Sequence, residues 1–140
     1  MDWHKTTLEF RTVSKGLQDI TDAVQGQVSA WNIQEGMCFL YIPHTSASLV
    51  ISENYDPTAS QDLETFMGKI APQDETWYVH SLEGADDSPA HIRAMLTNTS
   101  LSIPIDYGCL SLGRWQGIYL FEHRSRGHLR QVLVRGLRNA

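Results

Sequence analysis

The sequence predicts an α+β fold, a single domain over residues 1–140 with a mostly antiparallel, sandwich-like sheet, two longer helices and one short helix. Three observations carry this reading. Segments with strand patterns outnumber those with helical patterns, and the two kinds do not alternate strictly, as a doubly wound parallel sheet requires. The 140 residues are the usual length for one core, and no internal repeat, low-complexity tract or linker divides them.

From the N-terminus, Thr6, Leu8, Phe10 and Thr12 alternate with Lys5, Thr7, Glu9 and Arg11, a period of two that predicts a half-buried strand from about Trp3 to Val13. Leu17, Ile20, Val24, Val28 and Trp31 then recur at three and four, one stripe of an amphipathic helix, with Gly36 closing the connection. Met37 to Ile42 is a continuous apolar run of strand length, and Ser46 to Ser52 alternates small polar residues with Ala47, Leu49 and Ile51. Asp56-Pro57 supplies an N-cap acceptor and a proline at the first helical position. The stripe Leu63, Phe66, Met67 and Ile70 continues that helix until Pro72. Trp77 to Leu82 has a strand pattern, and Ser88-Pro89 starts a short helix with Ile92, Met95 and Leu96 facing inward. Leu101 to Ile105, Gly117 to His123 and Arg130 to Arg135 complete the strands.

A net charge of -5 and a pI near 5.6 exclude a general nucleic-acid binder, which presents a basic face to phosphates. No apolar run approaches the roughly 18–20 residues that cross a bilayer, so no membrane partner is expected. Met1-Asp2-Trp3-His4-Lys5 lacks a signal-peptide pattern, and a cytoplasmic location is expected. Cys38 and Cys109 lie far apart in apolar stretches, which suits buried reduced thiols. Acidic residues gather in the middle of the chain, whereas Arg114, Arg124, Arg126, Arg130, Arg135 and Arg138 crowd its end, where a small phosphorylated ligand would find positive charge.

Four histidines stand where the chain changes element. His44 lies between two strands in Pro43-His44-Thr45-Ser46-Ala47-Ser48, where a turn points imidazole and hydroxyls the same way. His80 ends a strand before the acidic turn Glu83-Gly84-Ala85-Asp86-Asp87. With Ser88 as N-cap, His91 is the third helical position, where the helix dipole opposes a charged ring and leaves it free to bind a metal or polarise an oxygen. In Glu122-His123-Arg124 the strand alternation sends Ile118, Leu120 and Glu122 to one face and Tyr119, Phe121 and His123 to the other. Imidazoles assisted by carboxylates are the donors that Zn²⁺ and similar metals prefer, but these spacings match no compact zinc signature. The glycines of Leu112-Gly113-Arg114-Trp115-Gln116-Gly117 predict a tight loop whose backbone N–H groups suit an anion.

Taken in order, His44-Thr45-Ser46-Ala47-Ser48-Leu49, Glu53-Asn54-Tyr55-Asp56-Pro57, Glu83 to Ile92, and Trp115-Gln116-Gly117-Ile118 with Glu122-His123-Arg124 resemble the YjbQ family of secondary thiamine-phosphate synthases over nearly the whole chain. The resemblance implies a homotrimer with its site near a subunit boundary, and a divalent metal, Zn or Mg, bound among His44, His80, His91 and His123. Glu53, Asn54, Asp86, Asp87, Glu122 and Arg124 stand close by in the family pattern. The implied activity joins hydroxymethylpyrimidine diphosphate to a thiazole phosphate with release of pyrophosphate. His44, His91, Arg124 and Glu122 would then be catalytic, and Ser46, Ser48, Asn54, Arg114, Trp115 and Gln116 would bind substrate. Arg114 replaces a threonine common in the family, and Asn98 a glycine. Two other readings use the same residues: a metal-dependent hydrolase of a small phosphorylated or amide substrate, and a non-catalytic trimeric module holding a metal or anion.

Overall fold

The computed structural model describes residues 1–139. Its elements run β1 (Asp2–Arg11), β2 (Gly16–Asp19), α1 (Thr21–Ala30), β3 (Glu35–Tyr41), β4 (Ala47–Glu53), α2 (Pro57–Ile70), α3 (Asp87–Leu96), β5 (Ser100–Asp106), β6 (Cys109–Leu110), β7 (Gln116–Glu122) and β8 (Leu129–Arg138). They form a five-stranded sheet, β1-β8-β3-β5-β6, and a three-stranded sheet, β2-β7-β4. Every strand pair is antiparallel.

The sheets face one another across a single apolar cluster. The large sheet contributes Cys38, Leu40, Ile103, Val132 and Val134, the small one Leu49, Ile118 and Leu120, and α1 closes the side with Val24 and Val28. Alternation along β7 follows the expectation: Ile118, Leu120 and Glu122 share the inner face, and His123 continues the outer one. α2 and α3 pack against the small sheet, through β2 and β4 respectively. Gly36 is required where β3 meets β8, because a Cβ there would stand 1.8 Å from the Leu137 carbonyl oxygen. No helix among the described residues is long and apolar enough to cross a membrane.

Several expected elements are revised. The stripe beginning at Leu17 is not one helix: Gly16–Asp19 pairs with β7, and α1 starts only at Thr21, whose N–H and hydroxyl both donate to Asp19 Oδ1. Trp77 to Leu82 is irregular chain rather than a strand, and Val79 and Leu82 are 95% and 98% exposed. α2 begins as expected, with Asp56 Oδ1 accepting from the Thr58 N–H, yet of its stripe only Met67 is buried. α3 starts at Asp87, not Ser88, and turns Ala90, Arg93 and Ala94 inward, leaving Met95 and Leu96 exposed. β6 is too short to leave a signal in the sequence. Cys38 is buried, its thiol pushed up to about 12 by desolvation, whereas Cys109 is exposed.

Candidate metal centre

The chain between Ser81 and Asp87 is a run of turns ending in the first turn of α3. Gly84 takes a φ of 109°, which a side chain resists, and the Asp87 N–H donates to the Gly84 carbonyl. This delivers Asp86 and Asp87 side by side to Arg124, just beyond β7. The Arg124 guanidinium donates through Nε to Asp86 Oδ2 at 3.1 Å, through Nη1 to Asp87 Oδ1 at 2.8 Å, and through Nη2 to the Glu83 carbonyl at 2.8 Å. Burial works against the Asp86 carboxylate, but hydrogen bonds from Arg124 and the Ser125 N–H outweigh it and hold the group at about 2. Asp87 is likewise kept below the usual carboxylate range: desolvation opposes this, but its contacts with the His80 and His91 imidazoles and the Arg124 charge overcome it.

The second oxygen of Asp87 faces two imidazoles. His80 Nε2 lies 2.7 Å and His91 Nε2 3.0 Å from Asp87 Oδ2, and the ring centroids are 5.2 Å apart. One donor atom from each of the three residues lies within 4.8 Å of the others, close enough for the three to share one cation. Asp87 is buried, while the His80 and His91 side chains are 50% and 37% exposed, so the cluster opens to solvent. His91 Nδ1 lies 2.7 Å from the Thr45 carbonyl oxygen, which only accepts, so Nδ1 carries the hydrogen. Such a bond on the far nitrogen is how protein sites orient a ligating histidine.

The remaining residues singled out in the sequence are dispersed. His44 shares a cavity of about 400 Å³ with Thr45, His91, Ala94, Met95 and Thr99, and its Nε2 accepts the Gln131 N–H at 2.9 Å. Burial, followed by Arg130, keeps its imidazole below the usual histidine range. His123 is 1% exposed and faces Ser48 Oγ at 2.8 Å. Burial first, then the Arg93 charge, hold His123 down at about 3.

Glu122 is also buried, and its guanidinium partner is Arg130 rather than Arg124, at 2.8 and 2.5 Å. It accepts further bonds from the Thr12 hydroxyl and from the N–H groups of His123 and Arg124, so its oxygens are fully engaged. Desolvation would raise Glu122, but Arg130 and Thr12 hold it below the usual range. Ser46 and Ser48 are buried and occupied by Arg130 and by His123 with Thr97. Glu122, Ser46 and Ser48 thus have their side chains engaged, whereas the buried Nδ1 of His123 has no hydrogen-bond partner among the described residues.

Asn54, Arg114, Trp115 and Gln116 form a second cluster. Asn54 Nδ2 donates to the Gln116 carbonyl, Gln116 Oε1 accepts the Gly113 N–H, and Arg114 stacks 4.7 Å over the Trp115 ring, which also packs edge-on against Tyr55. The β4–β7 register pairs Glu53 with Gln116 and Ala47 with Glu122. At about 3.3 Å per residue, the two ends of β7 stand about 20 Å apart, with Trp115 just before one and Arg124 just beyond the other.

Asp87 stands beside the expected histidines in sequence, yet a helix start at Ser88 leaves it outside the set of ligands. The signal is present: Asp87 and His91 are four residues apart, neighbours on a helix face once the helix includes Asp87. Arg93, Thr12 and Gln131 give no such signal, because their partners lie 29, 110 and 87 residues away.

Residues 6–139 match the family described as UPF0047 protein YjbQ-like. A UPF0047 protein of Synechocystis sp. is 46% identical over 131 residues, covering 94% of this chain and 89% of that protein. The UPF0047 protein YjbQ of Escherichia coli O157:H7 is 39% identical over 133 residues, covering 94% and 96%. Among solved structures, a conserved hypothetical protein from Thermus thermophilus superposes with a TM-score of 0.85 at 36% identity, covering 94% of this chain and 99% of that one. An uncharacterized conserved protein of the YjbQ/UPF0047 family from Clostridium acetobutylicum gives 0.86 at 33% identity, with 94% and 99% covered.

Proposed function

The chain belongs to the UPF0047 protein YjbQ-like family, and from that premise we propose that it is a metal-dependent enzyme of small phosphorylated compounds whose cation is held by His80, Asp87 and His91. The His91 contact carries the reading. With Nδ1–H given to Thr45, a neutral ring turns its Nε2 lone pair on Asp87 Oδ2 at 3.0 Å, and two lone pairs at that distance require a cation or a proton between them. Two imidazoles and one carboxylate suit Zn²⁺ better than Mg²⁺, which prefers oxygen donors, and three protein ligands leave coordination open. A cation bound there supplies positive charge to oxygens that become more negative as the reaction proceeds.

The reaction is the one the family resemblance implies. The thiazole nitrogen forms a bond to the methylene carbon of hydroxymethylpyrimidine diphosphate, the carbon–oxygen bond breaks, and its electron pair departs with pyrophosphate. No protein nucleophile is consumed. Arg124 serves this by holding Asp86 and Asp87 in place and ionised, rather than by meeting the diphosphate, since its donors are already engaged. Arg126, which makes no ion pair among the described residues, lines a cavity of about 440 Å³ with Gln73, Glu83 and His128, where a substrate phosphate has room. Hydrolysis is the second reading, favoured by the exposure of His80 and His91 to water.

The exposed apolar residues Trp3 and Tyr41 on the large sheet and Phe66 on α2 support self-association, and the homotrimer that the family resemblance implies would give three times the chain mass in light scattering.

Purified protein is expected to bind one zinc per chain. Asp87→Asn preserves shape and removes the charge, and should weaken binding by more than the roughly 10–100-fold that loss of an outer-shell partner costs. Unchanged affinity would overturn the site. Zinc-loaded protein given both phosphorylated substrates should release pyrophosphate, and release no faster than with zinc alone would overturn the transfer. Release that does not need the thiazole phosphate would favour hydrolysis.

A further inference from the structure

The structure separates two roles that a histidine beside a metal can play. His44 has one nitrogen fixed by the backbone. β8 pairs with β1 along its whole length, to Arg11↔Leu129, but its pairing with β3 stops at Tyr41↔Leu133. Two residues further, on the edge that β3 no longer covers, the Gln131 N–H donates 2.9 Å to His44 Nε2. The imidazole thus stands in for the missing strand. A backbone N–H can only donate, so Nε2 must offer its lone pair, and a neutral ring in that state carries its hydrogen on Nδ1.

His44 therefore has no lone pair left for a metal. Its Nδ1–H has no protein partner among the described residues, and the ring lines the cavity that His91, Ala94, Met95 and Thr99 also line. His91 reaches the same cavity with the opposite assignment, its Nδ1–H spent on Thr45 and its Nε2 facing Asp87. Thr45 follows His44 directly, so the segment that places the His44 ring also fixes the tautomer of His91.

The geometry points to His44 as a hydrogen-bond donor, through Nδ1–H, to a phosphoryl or carboxylate oxygen of the ligand at the His80–Asp87–His91 site, and not as a ligand of the cation. This rests on the cation reading of that cluster only for where the ligand sits. The tautomer stands independently of it.

Long-range ¹H–¹⁵N spectra of the metal-free full chain at neutral pH test the tautomer directly. The expected result is a protonated Nδ1 and a bare Nε2 on His44. Added Zn²⁺ should then move the nitrogen signals of His80 and His91 and leave those of His44 nearly still. Inorganic pyrophosphate added to the zinc-loaded protein should shift the His44 Nδ1–H.

In His44→Gln the amide oxygen can still accept the Gln131 N–H, so fold and zinc stoichiometry should persist. Pyrophosphate affinity should fall about tenfold, the effect of one lost hydrogen bond to a charged acceptor. A hydrogen on Nε2 of His44, a zinc-induced shift there as large as on His91, or pyrophosphate binding as tight in His44→Gln as in the natural protein would each overturn the proposal. Zinc that moves none of the three rings overturns the cation reading instead, and the metal-free spectrum together with a pyrophosphate titration without zinc then decides the role of His44.

Discussion

Burial can turn a residue type away from the chemistry its name suggests, and His123 is the clearest instance. Its position beside Glu122 and Arg124 in the sequence suggests a ligand, but the ring is enclosed, bonded to Ser48 Oγ, and close enough to Arg93 for that charge to disfavour protonation. The consequence is a pH dependence of stability with a definite sign. The unfolded chain protonates His123 near 6.5, the folded chain only near about 3. As pH falls between these values the unfolded state holds the extra proton, so stability is lost on acidification, at up to about 1.4 kcal/mol per pH unit, while above the upper value His123 contributes no slope. Denaturant unfolding followed from pH 7.5 to 4.5 should therefore give a shallower decline in His123→Gln, by about one proton. Equal slopes in the two proteins would assign the acid sensitivity to other groups.

Among the elements, α3 shows what is legible in the sequence and what is not. A proline after a serine announces a helix start, and a helix is there, but Pro89 sits at its third position rather than its first, because a proline is tolerated throughout the first turn, where its missing N–H would have no helical partner. The shift of two residues decides the site, since it brings Asp87 into the helix and in line with His91. The inward face departs from expectation for a related reason. Apolarity favours the stripe Ile92, Met95, Leu96, but the face that packs on β4 uses the small Ala90 and Ala94 with Arg93 pairing to Glu64. Arg124 then acts on the element rather than on the ligand. Arg124→Met removes the donors that orient Asp86 and Asp87, and should weaken zinc binding by about 10–100-fold while one ion per chain is still reached at saturation. Chelator competition measures this, and an affinity equal to that of the natural protein would deny Arg124 a positioning role.

At the scale of the molecule, the α+β class and most strands are legible in the sequence, because alternation and stripe spacing are local properties. Convergence is legible only in part: Asp87 and His91 meet by helix spacing, but His80 joins them through the intervening turns, and register alone sends Asn54 and Trp115 to the far end of the small sheet. Glu122 and Arg130 belong to this scale as well. One lies on the inner face of β7 and the other on the inner face of β8, so their ion pair joins the two sheets where the apolar cluster ends. Buried pairs of this kind cost much to break and little to replace. Glu122→Ala leaves the Arg130 guanidinium buried without its carboxylate, and about 3–5 kcal/mol of stability should be lost. Replacing both, Glu122→Leu with Arg130→Met, removes the two charges together and should cost far less, leaving a coupling of a few kcal/mol in the double-mutant cycle. If the double variant is as unstable as the single one, the pair is not a coupled clamp. Zinc affinity measured in the double variant separates this account from a catalytic one: a structural Glu122 predicts affinity close to that of the natural protein, because its oxygens reach the cation site only through the backbone of His123 and Arg124.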